Sequence, residues 1–171
     1  MYTKIIIGVD PAVTSGSNSD ETGIVVVGKG TDGLGYVIDD ISYKGSPAQW
    51  ADRVVKAYHQ YHAHCVVAEV NQGGDLVETV LRGADPTLRF KAVRATKSKR
   101  CRAEPIAMLY EQKKVFHTRV FPELEQQMCK FIPGSAKSPD RVDALVWALT
   151  ELMKSSRNSR TSKCWTIESS P

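Results

Sequence analysis

At 171 residues, with 42% hydrophobic and 25% charged side chains, the chain can bury one proper core and is too short for two; its ordinary composition excludes a fibrous or low-complexity protein. No apolar stretch is long enough to cross a bilayer, and the chain opens on a strand pattern rather than a signal peptide, which points to an intracellular protein. The net charge of +4 permits a polyanionic partner without demanding one, while four scattered cysteines, Cys65, Cys101, Cys129 and Cys164, form no Cys-x-x-Cys pair and read as reduced, partly buried thiols rather than a zinc site or a disulfide framework.

The first element is the apolar run at residues 4–9, three isoleucines followed by Gly8 and Val9. Without polar alternation it predicts a strand buried on both faces, at the middle of a sheet. Asp10 ends it, and Pro11 with the Ser-, Gly- and Asn-rich residues 14–22 turns the chain away. Residues 23–28 predict a second β-branched strand, residues 28–33 a turn, and residues 35–43 a third strand. Three strands in succession make an antiparallel meander.

Ser46, Pro47 and Gln49 form a capping box with proline at the first helical position. Trp50, Val54, Ala57, Tyr58 and Tyr61 follow at helical spacing and should cover one sheet face. Residues 65–70 predict another buried strand, also delivering a carboxylate, Glu69; strand, helix, strand implies a right-handed parallel crossover. A turn at residues 71–74 leads to a short helix from Asp75 to Leu81, ended by Gly83, and residues 88–93 predict a fifth strand. The basic stretch Arg94, Lys97, Lys99, Arg100 and Arg102 is expected to precede a helix over residues 102–113. A brief extended piece at 115–117, a helix opened by Pro122 and a linker at 132–137 lead to a last helix starting at Ser138 and Pro139. From residue 154 on, the Ser-, Arg- and Lys-rich sequence predicts a disordered tail, leaving residues 1–153 as one domain.

The last helix is apolar almost all round, yet Asp143 lies within it. A buried carboxylate is costly unless a cation or hydrogen-bond donors meet it. A salt bridge to an arginine is one account of Asp143. Metal ligation is the other: Asp10 and Glu69 can end neighbouring strands, Asp143 can enter from a helix packed on them, and carboxylate oxygens are the ligands that Mg²⁺ and Mn²⁺ prefer. Two such ions about 4 Å apart clamp the attacking and leaving oxygens of a phosphoryl displacement.

Four motifs, GVDPAVTSGSNSDETGIVVVG, VVAEVNQGGDLV, KSKRCRAEPIAMLYEQKKVFH and SPDRVDALVWAL, resemble in order the C-terminal nuclease domain of the tailed-phage terminase large subunit, of the ribonuclease H-like or retroviral-integrase-like superfamily. The resemblance covers nearly all of residues 5–153. It implies an α/β fold, a ribonuclease H-like mixed sheet in which a three-stranded antiparallel meander is joined by parallel strands and flanked by helices. It also implies a divalent-metal-dependent endodeoxyribonuclease that cuts concatemeric double-stranded DNA during genome packaging, through water activated by Mg²⁺ or Mn²⁺, with two ions. Asp10, Glu69 and Asp143 would be catalytic metal ligands in the host-cell cytoplasm, with the portal, a small terminase subunit and an N-terminal ATPase domain as partners and no membrane. No phosphate-binding Gly-x-x-x-x-Gly-Lys-Ser/Thr loop is present, so the chain reads as the nuclease domain alone.

Around these acids, Asp140 lies one helical turn before Asp143 and is expected either to complement the helix dipole or to join the metal ligands. Asp20 or Glu21 could lend an accessory ligand. Arg94, Lys97, Lys99, Arg100 and Arg102 are expected to grip DNA phosphates, Lys97 or Lys99 also serving the transition state. His59, His62 and His64 should point apart on the surface, and Asn71, Gly73 and Gly74 shape a loop beside the metals. Other readings of the same residues are a Holliday-junction resolvase or ribonuclease H on this fold, an actin-like nucleotide-binding module, or a DNA-binding domain without catalysis.

Overall fold

A computed structural model of the chain describes residues 1–11, 21–70, 75–131 and 140–154. The expected loop at 14–20, Asp20, the turn at 71–74 with Asn71, Gly73 and Gly74, the linker at 132–137, the start of the last helix at Ser138 and Pro139, and the tail with Cys164 and Trp165 lie outside the described residues.

Six strands, β1 (Tyr2–Asp10), β2 (Gly23–Gly30), β3 (Gly35–Asp40), β4 (Cys65–Glu69), β5 (Phe90–Val93) and β6 (Val115–His117), form one sheet in the order β5-β4-β1-β2-β3-β6. As the patterning predicts, β1, β2 and β3 are an antiparallel meander. β4 then lies parallel to β1 and β5 parallel to β4, while β6 adds in parallel to the far edge of β3. The isoleucine run lies in the central strand, with Ile6 and Ile7 wholly buried and Ile5 partly so, as a strand covered on both faces requires.

Alternation along the strands feeds two cores. Ile7, Val9, Ile24, Val26, Val66 and Ala68 face α1 (Pro47–Gln60) and α2 (Asp75–Ala84). Ile6, Val25, Val27 and Val67 face α3 (Lys99–Glu111), α4 (Pro122–Lys130) and above all α5 (Asp140–Met153). The capping box holds α1 at its start: Gln49 Oε1 accepts from Ser46 N–H at 2.9 Å.

Among the boundaries that differ from the sequence expectation, three have a clear local cause. α2 runs through Gly83 to Ala84, because a glycine whose surroundings are open is tolerated at a helix end. The third strand stops at Asp40, where its carboxylate bonds Ser42 instead of continuing the ladder. α3 begins at Lys99, three residues early, capped by the Ser98 hydroxyl, which accepts from Cys101 N–H. Lys99, Arg100 and Arg102 therefore belong to a helix's first turns rather than to the loop before it. Cys65 is half-buried, but Cys101 and Cys129 are exposed rather than partly buried, and all three are free thiols.

Two glycines seat α5. A Cβ built on Gly8 in β1 would collide with the Ala144 carbonyl oxygen and come within 2.8 Å of Ala148 Cβ; one built on Gly23 in β2 would collide with the Asp140 carbonyl oxygen. Their missing side chains let the helix backbone lie directly on the sheet.

Candidate active site

The close seat on Gly8 and Gly23 delivers the first turn of α5 to the end of the sheet where β1 finishes. The last registered pair of β1 and β4 is Val9 with Ala68, so Asp10 and Glu69 follow side by side, one residue on. By alternation both project toward α5, as Ile6 and Val67 do. The acids thus gather at the carboxyl ends of the parallel strands, where open α/β sheets leave a crevice for ligands.

Asp10 reports how close the negative charges lie. Burial, then the charges of Asp143 and Asp140, push its carboxyl from 3.8 up to about 8; Lys99 pulls the other way and Glu69 adds a smaller push. Asp143 is 4% exposed and forms an ion pair with Lys99 Nζ, which donates to Oδ2. Of the two accounts of Asp143, the salt bridge is present, supplied by a lysine rather than an arginine. Glu69 is held twice at one oxygen: Arg102 Nη1 donates to Oε2 at 2.7 Å and Trp147 Nε1 to the same atom at 2.9 Å. The guanidinium lies over the Trp147 ring, 4.7 Å from its centroid. No three His, Cys, Asp or Glu side chains among the described residues close on a common ion position.

Arg94, Lys97, Lys99 and Arg100 are exposed; Lys99 reaches the cluster through Asp143, and Arg100 pairs with Glu104 on its own helix. Arg102 is turned inward, its side chain 10% exposed. Glu21, the member of the expected accessory pair within the described residues, is engaged by Arg141, which donates to it at 2.9 and 2.6 Å and to Asp40 at 2.5 Å. The histidines separate as expected: His59 bonds Asp85 and His64 bonds the Ile5 N–H.

Sequence patterning did not reveal Arg141, Trp147 or the inward turn of Arg102. Lys99 and Arg102 are three apart and so share a helix face, a signal that moving the start of α3 to Ser98 would have exposed. Arg141 pins the start of α5 to Glu21 just before β2 and to Asp40 at the end of β3, and its replacement leaves the Asp40 carboxylate, only 3% exposed, without its counter-charge. Arg141→Met should therefore cost about 2–3 kcal/mol in urea unfolding.

Asp10 also sets a pH dependence. In the folded, metal-free chain it keeps its proton up to about 8, against 3.8 ordinarily, so the folded state binds more protons between those values. Its contribution to stability is full below 3.8, falls as pH rises, and is lost above 8. In EDTA, unfolding free energy should drop between pH 6 and 8 by up to about 1.4 kcal/mol per unit, and Asp10→Asn should flatten the slope.

The sequence profile of the family described as "Terminase RNaseH-like domain" matches residues 7–152. Among curated proteins, none matches the sequence significantly. Among solved structures, the large terminase nuclease from thermophilic phage G20c superposes with a TM-score of 0.68 at 17% identity, covering 86% of this chain and 82% of that one. That nuclease is also known with bound zinc and with bound cobalt. The yeast mitochondrial Holliday junction resolvase Ydc2 gives 0.55 at 11% identity, covering 89% and 80%. The human cytomegalovirus terminase nuclease domain, soaked in manganese with an inhibitor bound, gives 0.52 at 11% identity, covering 85% and 82%. At these identities the likeness is one of fold, the ribonuclease H-like fold.

Proposed function

Since this chain belongs to the terminase RNase H-like domain family and has the fold of terminase nucleases, we propose that it is the DNA-cutting domain of a tailed-phage terminase large subunit, using divalent metal held by Asp10, Glu69 and Asp143. The observation that supports this most is the gathering of acids from β1, β4 and α5 at one end of the sheet, where burial first, and then the charges of Asp143 and Asp140, raise Asp10 to about 8.

The donor set suits Mg²⁺ or Mn²⁺. It is made of hard carboxylate oxygens, and their mutual repulsion, relieved in the metal-free chain by a proton on Asp10 and by Lys99 on Asp143, is what a doubly charged ion removes. Metal-bound forms of the phage G20c nuclease support extending divalent-metal use here. When bound, two ions would supply Lewis acidity toward water and the scissile phosphate.

The chain's own groups do the rest. Asp10, Glu69 and Asp143 would hold the cations, and Asp140, at the helix start, would add negative charge beside them. Arg94, Lys97, Lys99 and Arg100 lie on the exposed rim and meet the DNA backbone, which gives affinity without sequence preference. Lys99, 43% exposed, would turn from Asp143 toward a DNA phosphate in the metal-loaded protein. In the parent protein, joined to its ATPase domain and working with the portal and small subunit, the cut would separate unit genomes from concatemeric phage DNA.

Supercoiled-plasmid cleavage with Mg²⁺, Mn²⁺ or EDTA tests the reading. Nicking and linearisation with either metal and none in EDTA are expected. Cutting confined to four-way junctions or to RNA·DNA hybrids would assign the site to a resolvase or a ribonuclease H instead.

A further inference from the structure

We propose that Arg102 and Trp147 are positioning residues that fix Glu69 as a one-oxygen metal ligand. The inference rests on the metal-nuclease reading above and adds how one ligand is aimed. Both donors, Arg102 Nη1 at 2.7 Å and Trp147 Nε1 at 2.9 Å, meet the same atom, Oε2. Oε2 is thereby loaded with two hydrogen bonds and Oε1 is the oxygen left to ligate. The donors come from α3 and α5 and converge on the last residue of β4, so three elements fix the carboxylate. The side chains of Arg102 and Glu69 are 10% and 11% exposed.

Stability alone does not account for Arg102. Its Nε is buried with no hydrogen-bond partner among the described residues, a cost of about 1–3 kcal/mol, and a buried ion pair seldom outperforms apolar packing of the same volume. A leucine or methionine over the Trp147 ring would fill the space without an orphan donor. What the guanidinium adds is direction, and such outer-shell partners change metal affinity by about 10–100-fold. Lys99 differs: its side chain is 43% exposed and its ammonium is a point charge on a flexible stem. Lys99 is the exchangeable cation of the cluster and Arg102 the permanent one.

The test is Mn²⁺ binding to the full chain, followed by the electron paramagnetic resonance signal of free Mn²⁺ and paired with thermal melts. Arg102→Lys keeps the charge and removes the planar fork; Trp147→Phe keeps the ring and removes only the N–H, so it remains informative if the arginine variant fails to fold. Arg102→Lys should weaken Mn²⁺ binding about tenfold and Trp147→Phe about threefold, with the Mn²⁺ needed for half-maximal nicking rising in step. If both variants bind within experimental error of wild type while Glu69→Gln loses binding, the positioning role is overturned and the metal site stands. If Glu69→Gln binds as tightly as wild type, Glu69 is no ligand and the metal-nuclease reading fails with it.

Discussion

Asp10→Asn, Glu69→Gln and Asp143→Asn should each lower Mn²⁺-dependent plasmid cleavage by about a thousandfold or more, since a metal that loses a charged ligand loses both occupancy and position. Their effects on the metal-free fold should diverge, which separates a catalytic loss from an unfolded protein. Asp10→Asn removes a carboxyl already protonated to about 8, so at pH 8 in EDTA it should melt at or above the wild-type temperature. Asp143→Asn removes one charge partner of Lys99, which is part-exposed and can turn to solvent, and should change stability little. Glu69→Gln leaves the inward Arg102 without its counter-charge and should cost about 3 kcal/mol. Cleavage within tenfold of wild type in all three folded variants would remove these residues from the site.

Gly8→Ala should cost more stability than any of these, roughly 3 kcal/mol or more. The added methyl must displace the Ala144 carbonyl and the Ala148 side chain, neither of which is the loose end of a flexible side chain. Relief requires α5 to lift from β1, and Asp143 sits immediately before Ala144, so the molecules that still fold should cleave about a hundredfold more slowly, as a displacement near 1 Å predicts. The same substitution at Gly83 provides the contrast. That glycine lies in α2 with nothing within 4 Å of its would-be Cβ, so Gly83→Ala should stabilise by about 0.5–1 kcal/mol. Urea unfolding of the two variants side by side checks both signs; a Gly8→Ala protein as stable as wild type would mean that α5 does not rest on β1 as described.

The sequence by itself determined what neighbours along the chain can dictate. The isoleucine run made β1 a central strand, β-branched runs and glycine turns made the meander, the Ser46 and Gln49 box started α1, and the apolar circumference of α5 announced its burial. The two strand-end acids and the buried Asp143 were equally legible, because a carboxylate beside or within an apolar run is conspicuous wherever the chain later goes.

Tertiary packing decided which partner each acid meets. Lys99 finds Asp143 across 44 residues, Arg102 finds Glu69 across 33, Trp147 finds Glu69 across 78, and Arg141 finds Glu21 across 120. The basic run looked like a loop because Ser98 sits among charged and polar residues, and only the packed α3 shows two of its cations facing the acids. Gly8 reads as an unremarkable strand residue until α5 lies across it. Strand periodicity and helix caps are written in local spacing, but the seat of one helix on two glycines, and with it the convergence of the acids, exists only when segments distant in sequence press into the same few ångströms.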